Sequence, residues 1–522
     1  MPKIKGNILV WDEQDWLGGL HQQYLTSTGG LQRQENKIAS MRSTDPYRNL
    51  GYLTPGFLAA DVTDVAQVTS ILRKGVVNGT TGYIISEGPD LHQFTVATGA
   101  ITNAGTFPHT IAAHGGHATV IGDDCVIYDA NVSSTLTKQV FYSWNDNTDG
   151  DVGIYNIGAG TFNDDYLSTV PAGAAALTLG VAHPLVVGKD DILYIGNGNV
   201  VDAFDGQTGA DGTLSAAVLT LPEDYEITAF AKTDVYLVVF AYRQTAGGSF
   251  NLGEATAFFW DYLSNDPTLV IDLNDNFVSE AFEWRGTVGC FTQGRRTNPT
   301  SNAHASKIQL YNPGTGQFET LTSFTGNAPI RGGVAVTGEI IQFNSAGNLF
   351  QWGTAFEGKP DVLVQTAEGD GTSEGMFLAP ATAVQLISTG TTTSGGLQTL
   401  NGNFFATSFV EGSFAEPVFS TGKKGRLKEV KVRFRTAVSG GRAIRLLVQD
   451  RLGNQTNIFG NSTNLTTINS ENIAKVDRWT ETGDPLPEFD AIKPVFVWKA
   501  GSGATTAPVI AQVEFHFEEV NA

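Results

Sequence analysis

Ile192-Leu193-Tyr194-Ile195-Gly196-Asn197-Gly198-Asn199-Val200-Val201-Asp202-Ala203-Phe204-Asp205-Gly206-Gln207-Thr208-Gly209 reads as two strands and two turns. Ile192 to Ile195 and Val200 to Phe204 are apolar and rich in β-branched and aromatic residues, which suit a pleated, buried surface. The intervening Gly and Asn residues tolerate the positive φ of tight reversals. The end of this unit recurs. An aromatic followed after three residues by Thr or Ser, then Gly, Asp or Asn, stands at Phe94, Trp144, Phe204, Trp260 and Tyr311. These aromatics are 50, 60, 56 and 51 residues apart. A turn that returns about every fifty residues marks stacked supersecondary units.

A short apolar run precedes each turn or starts a further unit: Gly82–Ile85, Cys125–Tyr128, Ile192–Ile195, Val235–Phe240, Val288–Phe291, Ile340–Phe343 and Val384–Ile387. Ile340 to Trp352 repeats the opening pattern, with Ser345-Ala346-Gly347-Asn348 as its turn. Four-stranded units of this length are propeller blades. The expectation is an all-β chain with an irregular six- or seven-bladed β-propeller over residues 61–410, Asn403 to Phe409 contributing to the last blade. The one helix candidate is Val65 to Lys74, where Val65, Val68 and Leu72 share a face; a strand over Val68–Leu72 is the alternative.

The flanks lack the repeat. Residues 1–60 carry Trp11, Trp16 and Gly18-Gly19 and read as an extended N-terminal arm that packs on the propeller or on a neighbour. The alternative is that Ile8–Trp11 closes a blade. Residues 411–522 change character, with ten Lys and Arg between Lys423 and Arg451. Val430, Val432 and Phe434 alternate there with Lys431, Arg433 and Arg435, a strand with one buried and one cationic face. Ala443–Val448, Val495–Trp498 and Val509–Phe517 add strands, so a C-terminal β-sandwich is expected. Lys428, Lys431, Arg433 and Arg435 become candidate interaction residues, able to meet an acidic patch on another copy or a partner. An ordinary solvated face is the alternative.

With 522 residues the chain can bury more than one core, and 60 Gly against 3 Met favour strands and turns. The net charge of −21 argues against a general nucleic-acid binder or a membrane-surface protein. No run approaches the ~18 apolar residues of a spanning helix, and Met1–Gly6 does not open a secretory leader. Cys125 and Cys290 fall in strands of different blades and are expected as buried free thiols, which suits a reducing cytosol. A disulfide or a nucleophile is the alternative.

Catalytic sets are not legible: there is no nucleophile elbow, phosphate-binding loop or His-Glu-x-x-His, and no carboxylate pair for glycoside cleavage stands out. His109, His114 and His117 with Asp123-Asp124 are the densest metal-capable cluster, but their spacing fits no zinc pattern and an interblade loop is the plainer reading. Asn145, Asn147, Asp149 and Asp151 place oxygens at alternate positions with Gly150 sixth, as in half of a calcium loop. Asn145 stands where Asp is usual and Asn156 where Glu is, so an acidic hairpin turn is the favoured reading, calcium the alternative. Asp202, Asp205 and Asp211 admit the same two readings. No other cofactor is expected.

Leu193 to Gly198 with Ala203 to Gly209 resembles a blade of the quinoprotein propellers, and Tyr311-Asn312-Pro313-Gly314-Thr315-Gly316 is similar to a kelch turn. The quinoprotein docking Trp is replaced near Thr213, so only the fold carries over. The layout resembles the propeller-bearing tail proteins of tailed bacteriophages: an arm with Trp11-Asp12 and Trp16-Leu17-Gly18-Gly19, irregular blades, then a basic-faced β domain at Arg426 to Phe434. That resemblance implies a non-enzymatic virion subunit, assembled in host cytoplasm into a ring-forming nozzle or adaptor. Its implied partners are other copies, with a hexamer favoured, other tail proteins, and DNA passing through a lumen. A carbohydrate-binding or glycan-cleaving propeller that meets host surface glycan is the alternative function, and an interaction scaffold a third.

Overall fold

A computed structural model describes residues 3–5, 8–13, 38–42, 57–58, 60–61, 72–86, 88, 90–101, 106–111, 121–146, 149–243, 253–293, 304–326, 334–337, 340–345, 348–353, 362–368, 377–378, 386–388, 397–399, 409–412, 425–435, 443–450, 452–459, 473–477, 480, 485–486, 488–489, 493–499 and 509–519. The chain divides into two bodies, residues 61–349 with 369–399, and residues 1–60 with 350–368 and 400–522.

Seven sheets, each built on four strands, form a β-propeller; all seven innermost strands lie in the first body, while the outer strands of blade 6 fall largely in residues 350–368. Their innermost strands are Leu72–Asn78, Ile121–Val132, Leu185–Val187, Tyr225–Lys232, Phe277–Trp284, Val334–Thr337 and Phe377–Leu378. Each touches the next, and Phe377–Leu378 touches Leu72–Asn78, which closes the ring. The outermost strand of blade 7 is Ala60–Asp61, taken from ahead of blade 1. Phe57–Leu58 adds a parallel fifth strand to Val362–Glu368 of blade 6.

Apolar side chains fill the spaces between blade faces. Tyr83, Phe107, Tyr142, Trp144 and Tyr155 join blades 1 and 2. Phe141 and Tyr166 of blade 2 meet Phe204 of blade 3, ring centroids 5.5 and 6.0 Å apart. Tyr194 meets Trp260 edge-on at 5.5 Å between blades 3 and 4. Burying one such ring stabilises by roughly 2–3 kcal/mol. Polar bonds add a latch: the hairpin of blade 2 grips the turn of blade 3, Asn131 Nδ2 donating to the carbonyls of Gln207 and Gly209 at 2.9 Å each. Tyr128 Oη donates to the Asp191 carbonyl at 2.6 Å and accepts from the Gly206 N–H at 3.0 Å. These residues, not Thr213, dock the two blades; Thr213 Oγ1 turns back to the Thr208 carbonyl.

Four of the five recurring turns join the third strand of a blade to its fourth, following Phe94, Phe204, Trp260 and Tyr311. The turn after Trp144 joins the second and third strands of blade 2 instead. The apolar runs mark second strands in every blade except the second, where Cys125–Tyr128 lies in the innermost strand.

Several expectations are corrected. The helix over Val65–Lys74 does not form at its end: Leu72–Asn78 is a strand, and Gly75 pairs with Ile84 rather than ending a helix; residues 65–71 lie outside the described residues, as does most of the alternative Val68–Leu72. Among the described residues the one helix is Tyr166–Thr169. Phe409–Gly412 does not belong to the last blade, for it pairs with Ile38–Arg42 and Lys493–Lys499; residues 403–408 lie outside the described set.

The second body holds two sheets with the strand counts of a sandwich. One runs Lys3–Lys5, Ile8–Glu13, Ile510–Glu519, Gly425–Phe434 and Ile473–Asp477, with Glu488–Phe489 beside Gly425. The other runs Ile38–Arg42, Phe409–Gly412, Lys493–Lys499, Ala443–Gln449 and Gln455–Phe459. The sequence reads Ile8–Trp11 as arm or as the closing strand of a blade; Ile8–Glu13 pairs with Ile510–Glu519. Leu427, Val430, Val432 and Phe434 are buried, as are Val513, Phe515 and Phe517 on the neighbouring strand, which is the alternation of a half-buried sheet.

Candidate binding site at the mouth of the propeller ring

A pocket of about 220 Å³ opens where the innermost strands of blades 1, 2, 4 and 5 begin, beside the segment that leads into blade 3. Its walls carry Arg73, Lys74, Asp123, Asp124, Glu226 and Glu280, with the rings of Phe230, Tyr242 and Phe277.

One backbone device repeats around it. The register of each of these four strands against its neighbour slips by one residue near its start: between Leu72 and Lys74, Gly122 and Asp124, Ile227 and Ala229, and Val278 and Glu280. The extra residue of such a bulge has no partner across the ladder, and the strand bends to re-aim its side chain. Here the extra residues are Arg73, Asp123, Thr228 and Ser279, and all four line the pocket.

The charges are organised by blade. Lys74 Nζ lies 2.9 and 3.0 Å from the two carboxylate oxygens of Asp124. Asp124 also accepts the N–H groups of Cys125 at 2.7 Å and Leu185 at 2.9 Å, so three chain segments converge on one carboxylate. Burial works to lower the Lys74 ammonium, but the carboxylates of Asp124 and Glu280 outweigh it and hold the group above the ordinary lysine range. Asp123 Oδ2 accepts from Asn145 Nδ2 at 2.8 Å and the His183 N–H at 3.2 Å. Burial pushes the Asp123 carboxyl up, opposed by the nearby His183 and Arg73. On the opposite wall Tyr242 Oη donates to Glu226 at 2.8 Å, and the Tyr242 and Phe277 rings meet edge-on at 5.3 Å.

The sequence singles out Asp123-Asp124 as partners of His109. The structure sends them inward to this pocket and His109 to the outermost strand of blade 1, where Nε2 lies 2.8 Å from Asp164 and the ring stacks on Phe162 at 3.6 Å. His114 and His117 lie outside the described residues. In the candidate calcium loop, Asn147 also lies outside them. Asn145 serves Asp123, Asp149 Oδ1 accepts the Gly150 N–H at 3.0 Å, and Asp151 accepts the Val152 and Ser168 N–H groups at 2.7 and 3.3 Å. Asp202 accepts from Ala217 N–H and Asn197, Asp205 from Gln207 N–H and Thr208, and Asp211 from Ser133 N–H. Asp149, Asp202 and Asp205 fasten their own blades, Asp151 ties its strand to the Tyr166–Thr169 helix, and Asp211 ties blade 3 to the hairpin of blade 2. Among the described residues no three His, Cys, Asp or Glu side chains converge as metal ligands.

Cys125 and Cys290 are free and buried. Burial pushes the Cys125 thiol up to about 12, and Cys290 well above its usual range for the same reason. No described helix is long and apolar enough to cross a membrane.

The basic strand carries its own counter-ions. Lys431 Nζ lies 2.7 Å from Glu429 and 3.8 Å from Glu514, Arg433 3.9 Å from Glu514, Lys428 3.7 Å from Glu518, and Lys475 3.2 Å from Glu429. Arg435 is exposed at the strand end. The face is a lattice of alternating charge.

No family model matches the chain, and no curated protein matches it. Among solved structures it is similar to the Dos1 propeller, with 11% identity over 70% of this chain and 84% of that one, TM-score 0.38. Drosophila Semaphorin 1a, extracellular domains 1-2, aligns at 10% identity over 65% of this chain and 88% of that one, TM-score 0.39. The computationally designed Ika8 protein aligns at 15% over 66% of this chain and 99% of that one, TM-score 0.35.

Proposed function

We infer that this chain is a non-enzymatic structural subunit of a bacteriophage tail, a ring-forming nozzle or adaptor that supports host attachment or DNA delivery. The observation that supports assembly is on blade 4. Its outermost strand, Leu269–Asp272, is paired on one side among the described residues and exposes Leu269 and Val270. Leu263, in the turn before it, is 89% exposed. An apolar edge strand is a liability on a free monomer, because its unpaired backbone groups are a template for further chains. A neighbouring copy that covers the strand removes that liability, and head-to-tail contacts of this kind close rings. The propeller supplies a rigid body, and the charged lattice around Lys428, Lys431, Arg433 and Arg435 supplies orientation rather than affinity.

Peptide counting by mass spectrometry on purified virus particles tests the reading. A few copies per particle, in fixed ratio to the other tail proteins, is the expected result. Absence from particles, with the protein free in cells or medium, would overturn it.

A further inference from the structure

We propose that the seam between blades 1 and 7, where the ring closes, is acid-sensitive and opens when His92 takes up a proton. The inference is independent of the tail reading. It starts from strand alternation. Tyr83, Ile85 and Leu91 of blade 1 belong to the apolar layer shared with blade 2. His92 follows Leu91, so its ring points to the other face of the sheet. That face turns toward blade 7, whose innermost strand Phe377–Leu378 touches Leu72–Asn78. Its neighbours there are Ile84, directly opposite, and Phe94, two residues on, both fully buried. His92 is itself fully buried, and neither ring nitrogen has a hydrogen-bond partner.

Other histidines are better provided for. His109 Nε2 meets Asp164 at 2.8 Å, His183 Nδ1 the Gly196 carbonyl at 3.0 Å, and His516 Nε2 meets Glu514 at 3.2 Å. Around His92 the charges are few. Asp90 on its own strand acts on it, Lys74 of the innermost strand turns away to Asp124, and Arg73 lines the pocket at the mouth. Gly75, which pairs with Ile84 in the same row, brings no side chain. The described strands of blade 7 contain one ionisable residue, Asp61. Burial holds the His92 ring below the ordinary histidine range, against the Asp90 carboxylate that draws it up. The closed seam therefore keeps His92 neutral, and an open seam lets it charge in water. Stability of the seam is complete above about pH 6.5 and is lost as pH falls below it. Blade 7 is the side that gives way. Its described strands are two or three residues long, so few ladder bonds hold it once its face leaves blade 1.

Hydrogen exchange read by mass spectrometry on the full chain tests this, at pH 7, 6 and 5 with labelling times scaled to the intrinsic exchange rate. A histidine that titrates near 6.5 when open raises the opening constant by up to about 25-fold between pH 7 and pH 5. Peptides over residues 386–399 of blade 7 should lose protection by up to that factor. Peptides over residues 193–204 of blade 3, next to His183, and 237–243 of blade 4 should hold theirs. His92→Leu, which suits an apolar seam and is checked for an unchanged fold at pH 7, should make residues 386–399 independent of pH. No loss at residues 386–399 by pH 5, an equal loss in blades 3 and 4, or a loss that survives His92→Leu would each overturn the proposal. The first two outcomes need no variant, so a substitution that fails to fold would not shelter it.

Discussion

Asp151→Asn separates what burial does to a carboxyl from what the surrounding fold does. Asp151 opens the third strand of blade 2 opposite Trp144 and is 2% exposed. Burial pushes its carboxyl from 3.8 up to about 7, against the Ser168 and Val152 groups that bond it and pull it down. The unfolded chain releases this proton near pH 4 and the folded chain near pH 7. Between those values the folded state holds the extra proton, so stability is fully present below about pH 4 and is lost as pH rises through about 7. The interval is about three pH units at ~1.4 kcal/mol each, or about 4 kcal/mol. Asparagine keeps the shape and the acceptor for the Val152 N–H, and cannot ionise. Its amide also faces the Ser168 N–H, which adds a fixed cost with no pH dependence. Urea unfolding at steps from pH 4 to pH 8 should show the variant gaining about 4 kcal/mol relative to the parent up to pH 7, then running level. Parallel curves across the whole range would refute the reasoning. The same titration bears on calcium: because both Asp151 oxygens face backbone amides, added calcium at pH 7.5 should leave the parent's midpoint where it was.

Asp275→Ala removes the carboxylate on which Lys307, Thr292 and Gln309 converge, each at 2.6 Å, and should cost about 3 kcal/mol in urea unfolding; Lys307 keeps partial access to water, which limits the loss. Gly206→Ala should cost roughly 1–3 kcal/mol, since the new methyl would stand 2.7 Å from the Tyr128 ring and 2.8 Å from the Ala130 methyl where two blades dock. Lys431→Glu sets a third carboxylate between Glu429 and Glu514 and should lower stability by about 1 kcal/mol, a loss that salt reduces. Neither cysteine should react with a thiol reagent at pH 8 until the chain unfolds, because both are buried and burial keeps both thiols protonated.

Blade identity was written in the sequence wherever a strand is buried on both faces. Tyr83–Ile85, Leu193–Ile195, Leu237–Phe240 and Val288–Phe291 are second strands, enclosed by their own sheet and the adjacent blades, and each is an unbroken apolar run. Blade 2 misleads because its innermost strand is twelve residues long and apolar at Cys125–Tyr128, so the innermost strand takes the role that second strands play elsewhere. The closing strand of blade 7 is two residues, Ala60–Asp61, too short for any periodicity to reveal. The pocket was illegible for another reason. Its members come from five blades, and four of them (Arg73, Asp123, Thr228 and Ser279) sit one residue out of the alternation that sequence reading relies on. Asp123-Asp124 follow three histidines in sequence and read with them as an interblade loop, whereas the bulge at Asp123 brings both carboxylates to a pocket whose walls include Lys74 and Glu280. The alternation from Val430 to Arg435 was correct as a strand and incomplete as a charge, since its counter-ions are Glu429 on the same strand and Glu514 and Glu518 on the neighbouring one.

The strand Ala60–Asp61 has a consequence in time. It is among the first parts of the propeller to leave the ribosome and the last to be used, because its partner Leu397–Thr399 follows only after every blade has been made. At ordinary elongation rates of about 5–20 residues per second that wait lasts tens of seconds. Throughout it the nascent chain is an open arc with two unsealed blade faces, exposed to whatever else the cell is making. A chain that stalls before Leu397 never makes the partner of Ala60–Asp61, so that strand stays free and blade 7 stays unsealed.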